Sequence, residues 1–293
     1  MIAYFLPDPG IHGGVKVACQ FVELLRQLGA RAVVALPGGA APDWFACSVP
    51  VVDSEIVLGE LAATDWAMLT WPPHYPALKA TPARLVNHAQ GVTNMEAVFA
   101  DPDVLVLSCW DHSARYIQTH FGRSTVEVGI SISDGFFTSG DVAIDNRVAF
   151  MPRRGREIVD DCVAAVRDCD FVAIDGRPEG DVARVLKSAG VYLATSVAED
   201  FGLPALEAMA AGCVVLSVPV RGGMEYLRSG ENCLVAEPDC LPERLAWITR
   251  PEQAAVRMRL RHAAVATAYR YHRSVQARRL AALRDGALAE LWA

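Results

Sequence analysis

The chain contains no run of 18 or more apolar residues, so it offers no candidate membrane-spanning helix. Nor does it carry an excess of positive charge: 27 lysines and arginines stand against 34 aspartates and glutamates, a net of −7. The deficit is concentrated in residues 1–140, which hold 7 basic and 13 acidic side chains, against 20 and 21 in the remainder. An acidic first half argues against nucleic-acid binding and against docking of that half on an anionic membrane. The eight cysteines include no C-x-x-C pair and sit in mostly apolar contexts. They read as buried free thiols of a reducing compartment, not as a disulfide scaffold or a zinc ribbon. No histidine pair has metal-ligand spacing, and no internal repeat or low-complexity tract is evident. Residues 1–7 lack a basic segment and run into Pro7-Asp8-Pro9-Gly10, which predicts a first strand instead of a signal peptide, and a cytoplasmic protein.

What is present is a long α/β alternation. With 293 residues, more than half of them apolar, the chain can fill two cores without metals or disulfides. Apolar runs predict strands at residues 2–6, 31–36, 49–52, 66–70, 83–87, 104–109 and 125–130, with helices at 15–28 and 111–121. A polar, glycine-bearing break covers 131–146. The pattern then restarts with strands at 148–151, 171–174, 190–195 and 214–217 and helices at 157–167 and 181–189. Strands separated by helix-length crossovers imply parallel sheets, here two doubly wound sheets joined near residue 140. Two long helices close the chain at 251–269 and 274–291. Residues 244–284 hold ten arginines and a single acid, Glu252. A solvated helical face, pairing with the acidic first half, and a peripheral membrane or protein contact all remain open for them.

One segment carries most of the chemistry: Glu199-Asp200-Phe201-Gly202-Leu203-Pro204-Ala205-Leu206-Glu207. Pro204 suits the first turn of a helix, residues 205–211 are strong helix formers, and Gly212 stops them. A strand, a glycine turn and a helix N-terminus make a site that attracts anions, because unpaired N–H groups and the helix dipole point outward there. Phosphate alone would need no carboxylates beside it. Sugar hydroxyls would, since an ionised carboxylate accepts several O–H bonds. The natural ligand has a phosphate in the middle and polyols at both ends: a nucleotide diphosphate sugar, with Glu199 facing one polyol and Glu207 the other. The Phe-Gly-Leu-Pro between the acids favours this over a solvated Glu207 and a helix-capping Glu199.

Residues 190–237 resemble the donor-binding segment of the retaining GT-B glycosyltransferases of family GT4, often called group 1. The resemblance rests on Glu199 to Glu207, Ala208-Met209-Ala210-Ala211-Gly212, the apolar run 214–218, Gly222-Gly223-Met224-Glu225 and Asn232-Cys233-Leu234-Val235. Asp200 stands where the family usually has glycine. Gly129-Ile130-Ser131-Ile132-Ser133-Asp134-Gly135-Phe136-Phe137 resembles the family's linker, with its Asn-Gly altered. The resemblance implies two Rossmann-like domains facing a cleft. Residues 1–140 would form the acceptor-side domain, 141–270 the nucleotide-sugar-binding domain, and 271–293 a final helix returning to the first domain. It further implies transfer of a hexosyl-type residue from a nucleotide diphosphate sugar, as co-substrate, to an acceptor hydroxyl with retention, in the biosynthesis of a polysaccharide or glycoconjugate. The family needs neither metal nor cofactor. Asp101-Pro102-Asp103 is formally the D-x-D of GT-A glycosyltransferases, but it precedes an apolar strand instead of following one, and reads as a turn.

Further positions are candidates as well. Gly13-Gly14, between the first strand and first helix, allows close backbone approach to a phosphate or sugar, or is simply a tight turn. His88, at the end of strand 83–87, lies at the edge where α/β sheets bind ligands; the resemblance implies a histidine facing the donor sugar, and a strand-end cap is the other reading. His12 and His74 are lesser candidates. Arg153, Arg154 and Arg156 follow the first strand of the second half, where cations can neutralise a departing diphosphate. In the family an arginine here is followed by a lysine. Arg153 matches the arginine, and Arg154 or Arg156 would replace the lysine, unless the three form a solvated turn. The resulting assignment gives His88, Glu199 and Arg153 catalytic roles. Donor binding falls to Gly13, Gly14, Arg154, Arg156, the N–H groups of Phe201, Gly202 and Leu203, and Glu207. Domain closure would exclude water. Two alternatives stand beside this one: a non-catalytic sugar-nucleotide-binding partner of another transferase, and a nucleotide-sugar 2-epimerase.

Overall fold

The computed structural model describes residues 1–137, 144–197 and 199–292. The expected junction at 140–141 lies outside the described residues. The chain divides into two compact units, Met1–Ser131 with Ser274–Ala293, and Ile132–Arg273.

The first unit is built on seven parallel strands: β1 (Ile2–Phe5), β2 (Ala32–Leu36), β3 (Val51–Asp53), β4 (Trp66–Leu69), β5 (Arg84–Ala89), β6 (Val104–Ser108) and β7 (Val126–Glu127). Their order in the sheet is β3-β2-β1-β4-β5-β6-β7. All four residues of β1 are buried, as in a strand covered on both faces. Alternation then sends Ile2 and Tyr4 to one face and Ala3 and Phe5 to the other. Tyr4 joins Phe21, Leu25, Val34 and Met68, while Phe5 joins Leu69, Leu78, Phe99 and Ile117. Chain order reverses between β1 and β4, the place where such sheets open a crevice at their C-terminal edge.

The helix Gly13–Gln27 starts two residues earlier than its apolar pattern predicts, so Gly13 and Gly14 form its first turn instead of a turn before it. Glycine is tolerated there because its entropic cost applies to the middle of a helix, not to its first turn. At the other end of the chain the expected helix 274–291 is shorter, Arg273–Arg284. Gly286 follows its end, and Leu288 and Leu291 turn with Leu280 into the core of the first unit. Gln276 fastens this segment, donating to the Gly129 carbonyl at 2.8 Å and accepting from the Ser131 hydroxyl at 2.7 Å.

The second unit has five parallel strands: β8 (Ile144–Phe150), β9 (Asp170–Ala173), β10 (Ala189–Ala194), β11 (Val214–Ser217) and β12 (Leu234–Val235). Their order is β12-β11-β10-β8-β9, which puts the reversal of chain order between β8 and β10. Several of the late arginines are taken up by internal pairs. Buried Arg257 reaches the Ile248 and Arg250 carbonyls and, with Arg261, the Asp145 carboxylate. Arg279 pairs with Glu127 in the first unit. No helix among the described residues is long and apolar enough to cross a membrane.

Candidate donor site in the second unit

The site grows from the two loops that leave the C-terminal ends of β8 and β10. The first carries Arg153, Arg154 and Gly155, the second Thr195 and, further along, Glu199 to Phe201. They are pressed together by a glycine. Gly155 has φ +73°, and a Cβ there would lie 2.2 Å from the Thr195 carbonyl oxygen. The Thr195 hydroxyl in turn donates to the Arg154 carbonyl at 3.0 Å. This close approach brings Arg154 Nη1 to 3.6 Å from Glu199 Oε2, with 55% of the arginine and 32% of the glutamate side chain exposed. Burial pushes the Glu199 carboxyl above the usual carboxylate range; Arg154 opposes the shift and Asp200 adds to it.

Glu199 leads through Gly202, in left-handed backbone at φ +80°, to the helix Leu203–Ala210. Pro204 sits in its first turn, as its fixed φ and missing N–H favour. Almost the whole helix is buried, including Glu207, 4% exposed on the second turn. Tyr192 of β10 lies near both acids: its hydroxyl is pushed well above the ordinary value, by burial first and then by the charges of Glu207 and Glu199. Asp200, in the place of the family's glycine, lies outside the positive-φ residues, where the non-glycine described is Asn94. A side chain is therefore accommodated at that position.

A second loop backs the first. The Gly222 N–H donates to the Asp200 carbonyl, and Arg221 Nη1 lies 3.8 Å from Asp200 Oδ1. Tyr226 donates its hydroxyl to the Gly202 carbonyl at 2.6 Å. The Phe201 ring packs against Tyr226 and Tyr271 at 5.3 and 5.8 Å between centroids, and the Tyr271 hydroxyl donates to Glu225 at 3.3 Å. Sequence reasoning missed Thr195, Arg221, Tyr226 and Tyr271. Of these, Arg221 and Tyr226 had a local signal, standing on either side of Gly222-Gly223-Met224-Glu225.

The three arginines part company. Arg154 pairs with Glu199, Arg153 is exposed on the same turn, and Arg156 starts the following helix and pairs with Asp160 at 3.1 Å.

Gly13, Gly14 and His88 belong to the first unit. His88 is completely buried. Its ring stacks on Phe21 at 4.3 Å, with Nδ1 2.9 Å from the Tyr4 hydroxyl and Nε2 3.1 Å from Cys109 Sγ. Burial lowers its pKa to about 3. A neutral imidazole has one donor and one acceptor nitrogen, and here both are engaged. β5 is an interior strand, and His88, one residue before its end, packs beneath the first helix. Its influence on the surface is indirect, since Tyr4 also accepts from Gln90 at 2.9 Å, and Gln90 Oε1 lies 2.9 Å from where a Cβ on Gly14 would fall. His74 helps line a cavity of about 90 Å³ with Phe5, Leu58 and Leu78. Exposed His12 lies 3.4 Å from Asp8. Asp101 accepts from the Tyr75 hydroxyl at 2.6 Å and pairs with Lys79 at 2.7 Å, in a turn. No group of three metal-ligating side chains is found among the described residues.

Residues 171–257 match the family model described as glycosyl transferases group 1. No curated protein matches the chain in sequence. Among solved structures, Anabaena Alr3699/HepE in complex with UDP-glucose superposes with a TM-score of 0.76 at 16% identity, covering 98% of this chain and 99% of that one. Sucrose-phosphate synthase from Thermosynechococcus elongatus gives 0.74 at 13%, with coverage of 98% and 99%. A glycosyltransferase from Rickettsia africae ESF-5 gives 0.70 at 13%, covering 97% of each chain. At such identities the likeness shows the fold, two parallel α/β sheets of the GT-B kind. Together with the group 1 segment it supports a glycosyltransferase.

Proposed function

We propose that the chain is a retaining, metal-independent glycosyltransferase of the GT4 type, which transfers a sugar from a nucleotide diphosphate sugar to an acceptor hydroxyl. The observation that carries this reading is a buried Glu207 and a partly buried Glu199 on either side of one helix N-terminus, with Arg154 beside Glu199. In this reading Glu207 accepts from the ribose hydroxyls and Glu199 from the donor sugar. The N–H groups from Phe201 to Leu203 and the helix dipole hold the diphosphate. Arg154, with Arg153 on the same turn, meets the charge that develops as the diphosphate departs, the electrostatic work a metal would otherwise do. No side chain is assigned as a nucleophile. Retention then follows from attack on the face the diphosphate leaves, through an oxocarbenium-like sugar. HepE's complex with UDP-glucose makes a UDP-sugar the first donor to try. All eight cysteines are free thiols, which suits a reducing, cytoplasmic setting.

The test is thermal melting against UDP, GDP, ADP, dTDP and their common sugars, in buffer containing EDTA. A ligand that binds only the folded protein, at a hundred times its dissociation constant, adds about 2.7 kcal/mol. One nucleotide series should stabilise the protein and cease to do so in Glu207→Ala. The anomeric configuration of the product, read by NMR, then checks retention; inversion overturns it. A need for divalent cation overturns metal independence, and binding with no turnover favours a non-catalytic partner.

A further inference from the structure

Tyr226 is 1% exposed, and its hydroxyl crosses 24 positions of sequence to reach the Gly202 carbonyl at 2.6 Å. That carbonyl also accepts the first bonds of the helix, from the Ala205 N–H at 3.0 Å and the Leu206 N–H at 3.4 Å. Its direction is thus held twice, once by the helix and once from across the unit. A peptide unit is planar, and in the trans form its C=O and N–H point in opposite directions; the described residues contain no cis bond. With the Gly202 oxygen directed into the helix and at Tyr226, the Leu203 N–H must point the other way, out of the helix N-terminus. Gly202 itself supplies no restraint. Its backbone, at φ +80° and ψ 45°, is in a region where glycine moves freely among conformations that other residues avoid. The Phe201 ring against the Tyr226 ring keeps the phenol from swinging aside.

We infer that Tyr226 is a positioning residue for the donor: by holding the Gly202 carbonyl it fixes the Gly202–Leu203 peptide plane, so that the Leu203 N–H meets the diphosphate. The inference rests on the donor reading above. It assigns Tyr226 no contact with substrate, and it distinguishes the diphosphate from the nucleoside, which the Glu207 end of the site would hold independently.

The experiment is calorimetric titration of the wild type and Tyr226→Phe with UDP, GDP, ADP and dTDP and with the corresponding nucleosides. Tyr226→Phe keeps the buried ring and removes one hydroxyl. The diphosphate that the wild type binds should bind the variant at least tenfold more weakly, with nucleoside affinity changed less than twofold. Unchanged diphosphate affinity, or equal loss for both ligands, overturns the inference and leaves the donor reading standing. Failure of the wild type to bind any of the four overturns the donor reading and the inference with it. Should Tyr226→Phe not fold, the wild-type Leu203 amide decides by NMR. It should shift downfield on diphosphate addition and not on nucleoside addition, and an unmoved amide overturns the assignment.

Discussion

At the scale of single residues, the site holds a carboxylate in surroundings that disfavour its charge. The folded-state pKa of Glu199 lies above the ordinary value, so its contribution to stability is present at low pH and lost as pH rises through the folded pKa. At neutral pH the charge is a net cost. Glu199→Gln should therefore raise the thermal midpoint by about 1–2 °C at pH 7.5, while donor turnover falls at least about 100-fold, a loss of the size seen when a transition-state contact is removed. A lowered midpoint in scanning calorimetry would mean that the pair with Arg154 outweighs burial. His88 behaves in the opposite sense. Its folded pKa of about 3 lies below the unfolded value near 6.5, so the unfolded chain takes up a proton first. The stability that neutral His88 provides is complete above about pH 6.5 and is lost progressively as pH falls toward 3. Its ring resonances should not titrate between pH 8 and 5 by NMR, and any pH dependence of activity in that range belongs to other groups.

At the scale of elements, the site is two loops held at the place where the order of a parallel sheet reverses. What holds them is contact, not the strands alone. Gly155→Ala would put a methyl group 2.2 Å from the Thr195 carbonyl, on a residue already at φ +73°. Left-handed backbone costs a non-glycine residue about 1–2 kcal/mol before any clash is counted. We expect Gly155→Ala to lower stability by about 2–3 kcal/mol, as overpacking commonly does, and to abolish stabilisation by nucleotides, because the Arg154–Glu199 arrangement depends on that approach. Urea unfolding with and without ligand reads both effects. Retained nucleotide stabilisation would show that the loops tolerate separation.

At the scale of the whole molecule, the chain leaves its first unit at Ser131 and returns to it at Ser274. The returning segment contributes Leu280, Leu288 and Leu291 to that unit's core. Deleting a buried leucine side chain costs about 2–5 kcal/mol, and a whole domain is stable by only about 5–15 kcal/mol. A chain ending at Arg273 should consequently lose the cooperative unfolding of the first unit and expose apolar surface. Calorimetry and size-exclusion chromatography should show a missing transition and aggregation; a soluble protein with both transitions intact would contradict this.

The alternation of apolar runs with helix-length stretches determined that both sheets would be parallel, because strand burial and helix periodicity are properties of the local chain. The strand β11 was legible to the residue, and the helix after Gly202 within a residue or two, from its proline, its alanines and its glycine stop. Tertiary structure decided the rest. Nothing in Arg153-Arg154-Gly155-Arg156 says which guanidinium turns toward Glu199; that depends on Gly155 lying against Thr195, forty residues further along the chain. His88 at a strand end is compatible with a ligand or with a core, and only the packing of Phe21, Tyr4 and Cys109 around it put it in the core. Tyr226 is an ordinary apolar-leaning residue in sequence, yet its hydroxyl orients a peptide 24 positions earlier. Periodicity reports which face of an element is buried. Which polar atoms meet at the ends of those elements is settled by loops of different origin, whose approach only the closed fold determines.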